Sequence, residues 1–248
     1  DNAIAEGHAL VSNFSASWSL GTALGALAAS WEIGSGRYRD PFLPAAATSL
    51  SLSLATLAIL SEKRISSKGV GRQGAELYTA APLRVKSVWL AAFLYAFCQG
   101  IVFALYPPFA EYLGVPALVI GLAVTSLMMG RTLVFLFFRR LKARFKVIAM
   151  TGSAMIGLAA LPLSSAVEHW MILTLSLALG FGLGLVYSAS IMIALSADKT
   201  NRGKYAGIFE GSIGAGYLFG PIIGGSIAQV SLQGPYVICS ATALFSLL

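Results

Sequence analysis

The chain has 248 residues, of which 57% are hydrophobic and only 11% are charged. A soluble globular domain carries about 25% charged residues, so this composition indicates a membrane protein. The net charge of +7 does not indicate a nucleic-acid partner, because that would require a basic face on a folded soluble surface. The sequence contains neither an HExxH motif nor a phosphate-binding loop, and we expect no enzymatic activity, no cofactor and no metal site.

Long runs with at most one charged residue show how the chain crosses the bilayer. A transmembrane helix needs about 20 predominantly apolar residues. Barrel strands alternate over about 10 residues, and the runs are too long and too continuously apolar for them. The sequence therefore predicts an all-α, polytopic helical bundle with eight transmembrane helices, in runs at residues 9–31, 41–61, 87–110, 112–138, 147–167, 170–197, 205–230 and 232–248.

The loops between these runs differ in charge. Loops 61–86, 139–146 and 198–204 hold most of the lysine and arginine residues, whereas the intervening loops hold only Arg37 and Arg39. Basic loops remain on the cytoplasmic side of a membrane. The three basic loops are therefore predicted to be cytoplasmic, in a multi-pass protein of the cell membrane.

An internal repeat relates the first and seventh predicted spans. Residues 13–30 and 208–225 align at an offset of 195 residues, which pairs Gly21 with Gly216 and Gly25 with Gly220. The repeating unit is then six helices. Six crossings return the chain to the side of the membrane from which it started, so both copies have the same sidedness.

The seventh span carries a motif of glycine and proline. The segment that follows NRGKYAG reads GYLFGPIIGG and fits the pattern GxxxGPxxGG, whose fixed positions are Gly216, Gly220, Pro221, Gly224 and Gly225. These residues resemble the major facilitator superfamily of secondary transporters. The resemblance implies a twelve-helix fold, of which this chain holds helices five to twelve.

The resemblance also implies a domain organisation. Residues 1–60 are expected to be the last two helices of the N-terminal bundle, and residues 61–86 a cytoplasmic basic linker. Residues 87–248 are expected to form the C-terminal six-helix bundle. Because the last run is short, we expect its helix to be truncated and the sequence to be a piece of a longer protein.

Two interpretations of the glycine motif are open. Helices in lipid associate through close backbone packing, which glycines permit. The ladder Gly216, Gly220 and Gly224 is either a static packing contact or a contact along which two bundles rock. The resemblance favours the second, because helices five and eleven lie at the interface between bundles in this family.

Two charged residues lie inside predicted spans. Arg131 and Glu210 each lie roughly 10 Å inside the cytoplasmic boundary, where charges are costly and often functional. Arg131 is either a functional residue or one whose side chain extends to the interface. Glu210 is either a functional residue or a structural hydrogen-bonding group. The two could pair with each other or with other helices, and both are candidates for coupling.

Polar stripes identify candidate residues of a substrate cavity. In the third span Tyr95, Gln99 and Tyr106 share one helical face, and in the sixth span Ser176 and Tyr187 lie on one stripe. The resemblance places these helices, seven and ten of the family, beside the central cavity. Ordinary hydrogen bonding and packing between helices is the alternative for each stripe.

The predicted function is secondary active transport of a small solute by alternating access, as a symporter or an antiporter. The polar, aromatic and uncharged stripes suit a neutral or amphipathic solute, so efflux of amphipathic compounds and uptake of a sugar or metabolite are both open. The expected partners are this solute, the lipid bilayer and a proton as the coupling ion. The alternative is a non-transporting membrane receptor or scaffold on the same fold.

The predicted topology can be tested at Ser67, which lies in the first basic loop. In intact cells, a membrane-impermeant thiol reagent should leave the Ser67→Cys variant unlabelled, because the loop faces the cytoplasm. Permeabilised cells should show labelling, and the unsubstituted protein serves as control because Cys98 and Cys239 lie in predicted spans. Labelling of the variant in intact cells would contradict the topology.

Overall fold

The computed structural model describes residues 2–36, 42–62, 82–138, 144–196 and 202–245. Within these ranges every regular element is an α-helix, so the prediction of an all-α fold is confirmed. Each helix overlaps one of the eight predicted runs. The helices are α1 (Asn2–Gly34), α2 (Phe42–Glu62), α3 (Pro82–Tyr112), α4 (Ala117–Phe137), α5 (Phe145–Leu163), α6 (His169–Ser196), α7 (Arg202–Ala228) and α8 (Gly234–Phe245).

Five of the described helices are long and apolar enough to cross a membrane, namely α3, α4, α5, α6 and α7. The described apolar parts of α2 and α8, Phe42–Leu57 and Gly234–Phe245, are shorter. Most of the basic loop residues, at 63–81, 139–143 and 197–201, lie outside the described residues. The division into an N-terminal and a C-terminal bundle therefore remains a prediction.

The six helices from α3 to α8 pack against one another, with α6 in contact with α3, α4, α5 and α7. Helix α1 packs along α4. The side chains described for α2, at residues 42–57, are all exposed. Helices α3 and α4 are joined by a turn in which Gly114 has φ +78°, a left-handed conformation that favours glycine.

Paired glycines allow α6 to approach two neighbouring helices closely. A Cβ added to Gly130 of α4 would lie 2.6 Å from the carbonyl oxygen of Leu177 in α6. A Cβ on Gly152 of α5 or on Gly182 of α6 would each lie 2.7 Å from the other residue's carbonyl oxygen. These distances are shorter than normal contacts. The helix backbones are therefore so close together that only glycine, whose side chain is a hydrogen atom, fits at these positions.

The glycine ladder of α7 packs against α3. A Cβ at Gly216 or Gly220 would lie 2.5 Å from a carbonyl oxygen of α3, and one at Gly224 would lie 2.9 Å from the side chain of Ile101. A Cβ at Gly225 would have no atom within 4 Å. These three glycines therefore pack against α3 in the described residues, and their place at an interface between bundles remains a prediction.

Pro221 lies within α7, which continues on both sides of it. Its ring faces Gly100 of α3, where an added Cβ would lie 3.1 Å from the proline Cδ and 3.4 Å from the carbonyl oxygen of Tyr217. Proline cannot donate a hydrogen bond to that carbonyl. The freed carbonyl is thus covered by a neighbouring glycine.

The two copies of the internal repeat have different surroundings in the described residues. Gly216 and Gly220 meet α3, whereas a Cβ at Gly21 or Gly25 of α1 would have no atom within 4 Å. The repeat in the sequence is therefore not a repeat of contacts here. Helix α1 uses another face for its contact with α4.

The α7 ladder predicts a difference between two glycine-to-alanine variants of the same helix. Gly220→Ala forces a methyl group against the backbone of Phe97 and should destabilise the protein by about 1–3 kcal/mol. Gly214→Ala is the control, because a Cβ there has no atom within 4 Å, and it should leave stability unchanged or slightly higher. The measurement is the thermal unfolding midpoint of each purified variant.

A larger substitution separates the two interpretations of the ladder. Gly220→Leu should lower the folded yield, since the contact lies inside the six-helix group. A normal folded yield with blocked transport would instead support a contact along which bundles rock.

Candidate functional site

Arg131 lies on α4 and is only 1% exposed. The hypothesis that its side chain extends to the interface is therefore wrong for this structure. Its backbone is closely approached by α6, since a Cβ at Gly184 would lie 3.2 Å from the Arg131 Cα. The guanidinium is enclosed by neighbouring helices.

Four aromatic rings surround this guanidinium. The Arg131 Cζ lies 4.9 Å from the ring centroid of Trp18, 5.5 Å from Phe135, 5.6 Å from Tyr95 and 5.9 Å from Tyr187. These rings come from α1, α4, α3 and α6, and we call them the aromatic cage. A cation–π contact contributes about 2 kcal/mol or more when it is desolvated.

The rings of the aromatic cage also pack against each other. The centroid of Tyr187 lies 5.7 Å from that of Tyr95 and 5.5 Å from that of Phe135. Phe209 of α7 extends this cluster, with its centroid 5.7 Å from that of Tyr187. Such contacts restrict ring rotation and so fix the surroundings of the guanidinium.

Two of the three guanidinium nitrogens lack hydrogen-bond partners within the part of the chain that the structure describes. The Arg131 Nε and Nη1 atoms are both buried without one. A buried donor without a partner costs about 1–3 kcal/mol, and more when it is charged. Ring faces attract the positive charge but do not replace the oxygen acceptors that N–H groups need. Arg131 therefore retains unused capacity to bind an anion.

Polar contacts between α1 and α4 position Trp18. The Ser19 Oγ donates to the Met128 carbonyl at 2.9 Å, and the Thr125 Oγ1 donates to the Ala23 carbonyl at 3.1 Å. The Ser12 Oγ donates to the carbonyl of Phe135. These contacts form a series along two antiparallel helices and bring the Trp18 ring over Arg131.

The predicted cavity residues of α3 fall into two groups. Tyr95 belongs to the aromatic cage, and Gln99 is buried one turn away with an Oε1 atom that has no partner among the described residues. Tyr106 lies about 16 Å from Tyr95 along the helix and is also buried, with a hydroxyl that has no partner in the described part of the chain. Tyr106 is therefore separate from the Arg131 site.

The predicted stripe of α6 is likewise divided. Tyr187 belongs to the aromatic cage, whereas Ser176 is buried about 16 Å away along the helix. Gly180 and Gly184 between them face α4 at close distance. The part of α6 between Ser176 and Tyr187 is thus a packing contact, which is the alternative interpretation given for this stripe.

Glu210 lies on α7 next to Phe209, and its side chain is exposed. Among the described residues it forms no ion pair with Arg131 and no hydrogen bond. Neither the mutual pair nor the structural hydrogen bond is therefore present here. Its role in coupling remains a prediction.

Two members of the aromatic cage were not among the predicted site residues. Phe135 follows Arg131 by four positions, a spacing that places both on one helical face, so a search around the intramembrane charge would have found it. Trp18 lies far away in the sequence, and no local pattern connects it with Arg131.

Comparison with known proteins agrees with this architecture. The sequence profile of the Major Facilitator Superfamily matches residues 7–192 and, in a second match, residues 88–248. An uncharacterised MFS-type transporter of Methanocaldococcus jannaschii is 27% identical over 157 residues, which cover 61% of this chain and 40% of that protein. No solved structure matches the chain significantly. The resemblance based on residues 202–225 is confirmed.

The unpartnered guanidinium predicts that a variant without it is more stable. Arg131→Met removes a buried charge at similar volume and should stabilise the protein by about 1–4 kcal/mol. Arg144→Met is the matched control, because Arg144 is exposed at the start of α5, and it should stay within about 0.5 kcal/mol of the unsubstituted protein. The measurement is thermal unfolding in detergent. A lower midpoint for Arg131→Met would mean that the ring contacts outweigh the missing hydrogen bonds.

Proposed function

Because the chain belongs to the Major Facilitator Superfamily, we propose that it acts in secondary active transport of a small solute by alternating access. The aromatic cage around Arg131 is the observation that carries this proposal. A buried charge inside a transmembrane bundle is costly and is retained where it serves a function. The proposed solute site lies at this charge.

The position of the aromatic cage between helices supports alternating access. Three of its rings belong to α3, α4 and α6, which lie in the predicted C-terminal bundle, and Trp18 belongs to α1 of the predicted N-terminal bundle. A rocking motion between the bundles would therefore move Trp18 relative to Arg131. Hydrogen bonds such as that of Ser19 contribute only about 0.6 kcal/mol on average in membranes, so the main resistance to this motion is the close packing of α1 on α4, which includes the approach of Ser30 to Gly121.

Glu210 supports a proton as the coupling ion. It is a carboxylate on α7, a helix long and apolar enough to cross the membrane, and it is linked to the aromatic cage through the contact of Phe209 with Tyr187. A carboxylate in this position can take up a proton from one side and release it to the other.

The proposed location is the cell membrane, with the basic loops in the cytoplasm.

Solute movement can be measured in proteoliposomes that contain the full chain and an internal pH-sensitive dye. Sugars, amphipathic cations and carboxylates are added in turn, and a change of internal pH that depends on the protein identifies a solute moved with protons. Counterflow of the same labelled solute then measures exchange without a pH gradient. Binding of solutes without flux or counterflow for any of them would favour a receptor or scaffold.

A glutamate variant tests proton coupling separately. Glu210→Gln should abolish accumulation driven by a pH gradient, because the amide cannot carry a proton, and should leave solute exchange intact. Glu111→Gln is the matched control, since Glu111 is exposed at the end of α3. A Glu210→Gln variant with normal pH-driven accumulation would contradict the proposed coupling role.

A further inference from the structure

We propose that the aromatic cage binds the carboxylate of a small amphipathic monoanion, with Arg131 as the charge partner. This rests on the proposed function and names the chemical class of its solute. It narrows the neutral or amphipathic solute expected from the sequence to an amphipathic one with a single negative charge.

The hydrogen-bonding capacity of Arg131 argues for a carboxylate. A guanidinium presents its N–H donors in one plane, where a carboxylate can accept two of them. The Nε and Nη1 atoms are buried and unpartnered among the described residues. Each of them shares one edge of the guanidinium with Nη2, so a carboxylate on either edge would meet one unpartnered donor. A neutral hydroxyl or amide would supply an acceptor but would leave the buried positive charge uncompensated.

The number of charges argues for a monoanion. Arg131 is the one buried basic side chain among those that the structure describes. One carboxylate neutralises it, whereas a second negative charge on the solute would enter the apolar interior without a partner. Small polyanions are therefore disfavoured.

The surrounding rings argue for an apolar or aromatic body on this anion. The cage side chains of Tyr95 and Phe135 are buried and present apolar surface beside the charge. Arginine can contact rings through its face and bind an anion through its edge, so the two interactions are compatible. An apolar group attached to the carboxylate would then pack against the same rings.

The solute would reach Arg131 by displacing the ring of Trp18, the exposed member of the aromatic cage. Its side chain is 48% exposed, whereas Arg131 beneath it is 1% exposed. Displacement of this ring, together with α1, would open the guanidinium to the solute. Trp18 therefore acts as a positioning residue that covers the bound carboxylate.

The test uses the purified full chain in a non-ionic detergent, so that no anionic lipid competes for the site. Benzoate and hexanoate are the monocarboxylate probes, benzamide is the neutral analogue of benzoate, and phthalate is a dianion on the same ring. Binding is followed by the thermal unfolding midpoint and by tryptophan fluorescence. Benzoate or hexanoate at millimolar concentration should raise the midpoint, and benzamide and phthalate should have much less effect.

Variants connect this binding to Arg131. Arg131→Gln should weaken carboxylate affinity roughly 10- to 100-fold, and Arg131→Lys should weaken it less because the charge is kept. Arg144→Gln is the control and should bind as the unsubstituted protein does. Trp18→Ala should weaken binding and remove the fluorescence response, whereas Trp170→Ala, which changes an exposed ring at the start of α6, should do neither.

Three results would overturn the proposal: no shift with either monocarboxylate, equal binding of benzamide and benzoate, or unchanged affinity in Arg131→Gln. The first two comparisons use the unsubstituted protein and so do not depend on whether a variant folds. Binding with these dependences but without flux in proteoliposomes would leave the site intact and contradict the transport function. Flux of a neutral solute without carboxylate binding would support the transport function and contradict the carboxylate site.

Discussion

Close backbone contact is the constraint on which this bundle depends. Lipid tails are as apolar as leucine, so burial of apolar side chains does not drive helices together in a membrane. What remains is van der Waals packing, which falls steeply with distance, and hydrogen bonding. The glycines at the contacts of α6 with α4 and α5 and of α7 with α3 serve this packing. Gly184 of α6 also approaches the Arg131 Cα closely. This contact fixes the position of the Arg131 backbone relative to α6.

The contact between α1 and α4 combines a tight glycine contact with hydrogen bonds. A Cβ added to Gly121 of α4 would overlap the Ser30 side chain of α1 and lie 3.2 Å from the Ala26 carbonyl oxygen. Gly21 and Gly25 of α1 do not enter the contact, and hydroxyl groups such as those of Ser19 and Thr125 donate to backbone carbonyls across it. Hydrogen bonds of this kind are individually weak in membranes, and each hydroxyl can return to a carbonyl of its own helix. The approach of α1 to Gly121 adds to these hydrogen bonds the same kind of close packing that joins the helices of the six-helix group.

Much of the fold could be predicted from the sequence, because a bilayer imposes length and composition on each helix. The run that contains Arg131 was assigned to a helix despite its charge, and that assignment holds. The partner of the α7 ladder could not be predicted in the same way. A step of four residues shows that Gly216, Gly220 and Gly224 share a face, but it does not say which helix meets that face.

The candidate site shows the same limit. Intramembrane position marked Arg131, and polar stripes marked Tyr95 and Tyr187, yet each was found without reference to the others. Their meeting depends on how α3, α4 and α6 cross, which is a property of the packed bundle. Trp18 could not be predicted at all, since the series of hydroxyl contacts that places α1 on α4 has no recognisable spacing in the sequence.

The energetics of Arg131 connect this arrangement to function. A ligand changes a conformational equilibrium only to the extent that it binds one state better than another. With Trp18 in place, an anion at the guanidinium would be covered and desolvated, and its interaction with the charge would be stronger than in water. With α1 displaced, the same anion would be hydrated and held less tightly. The missing hydrogen bonds of Arg131 would thus favour closure of α1 over a bound anion more than closure over the empty site, which is the difference that alternating access requires.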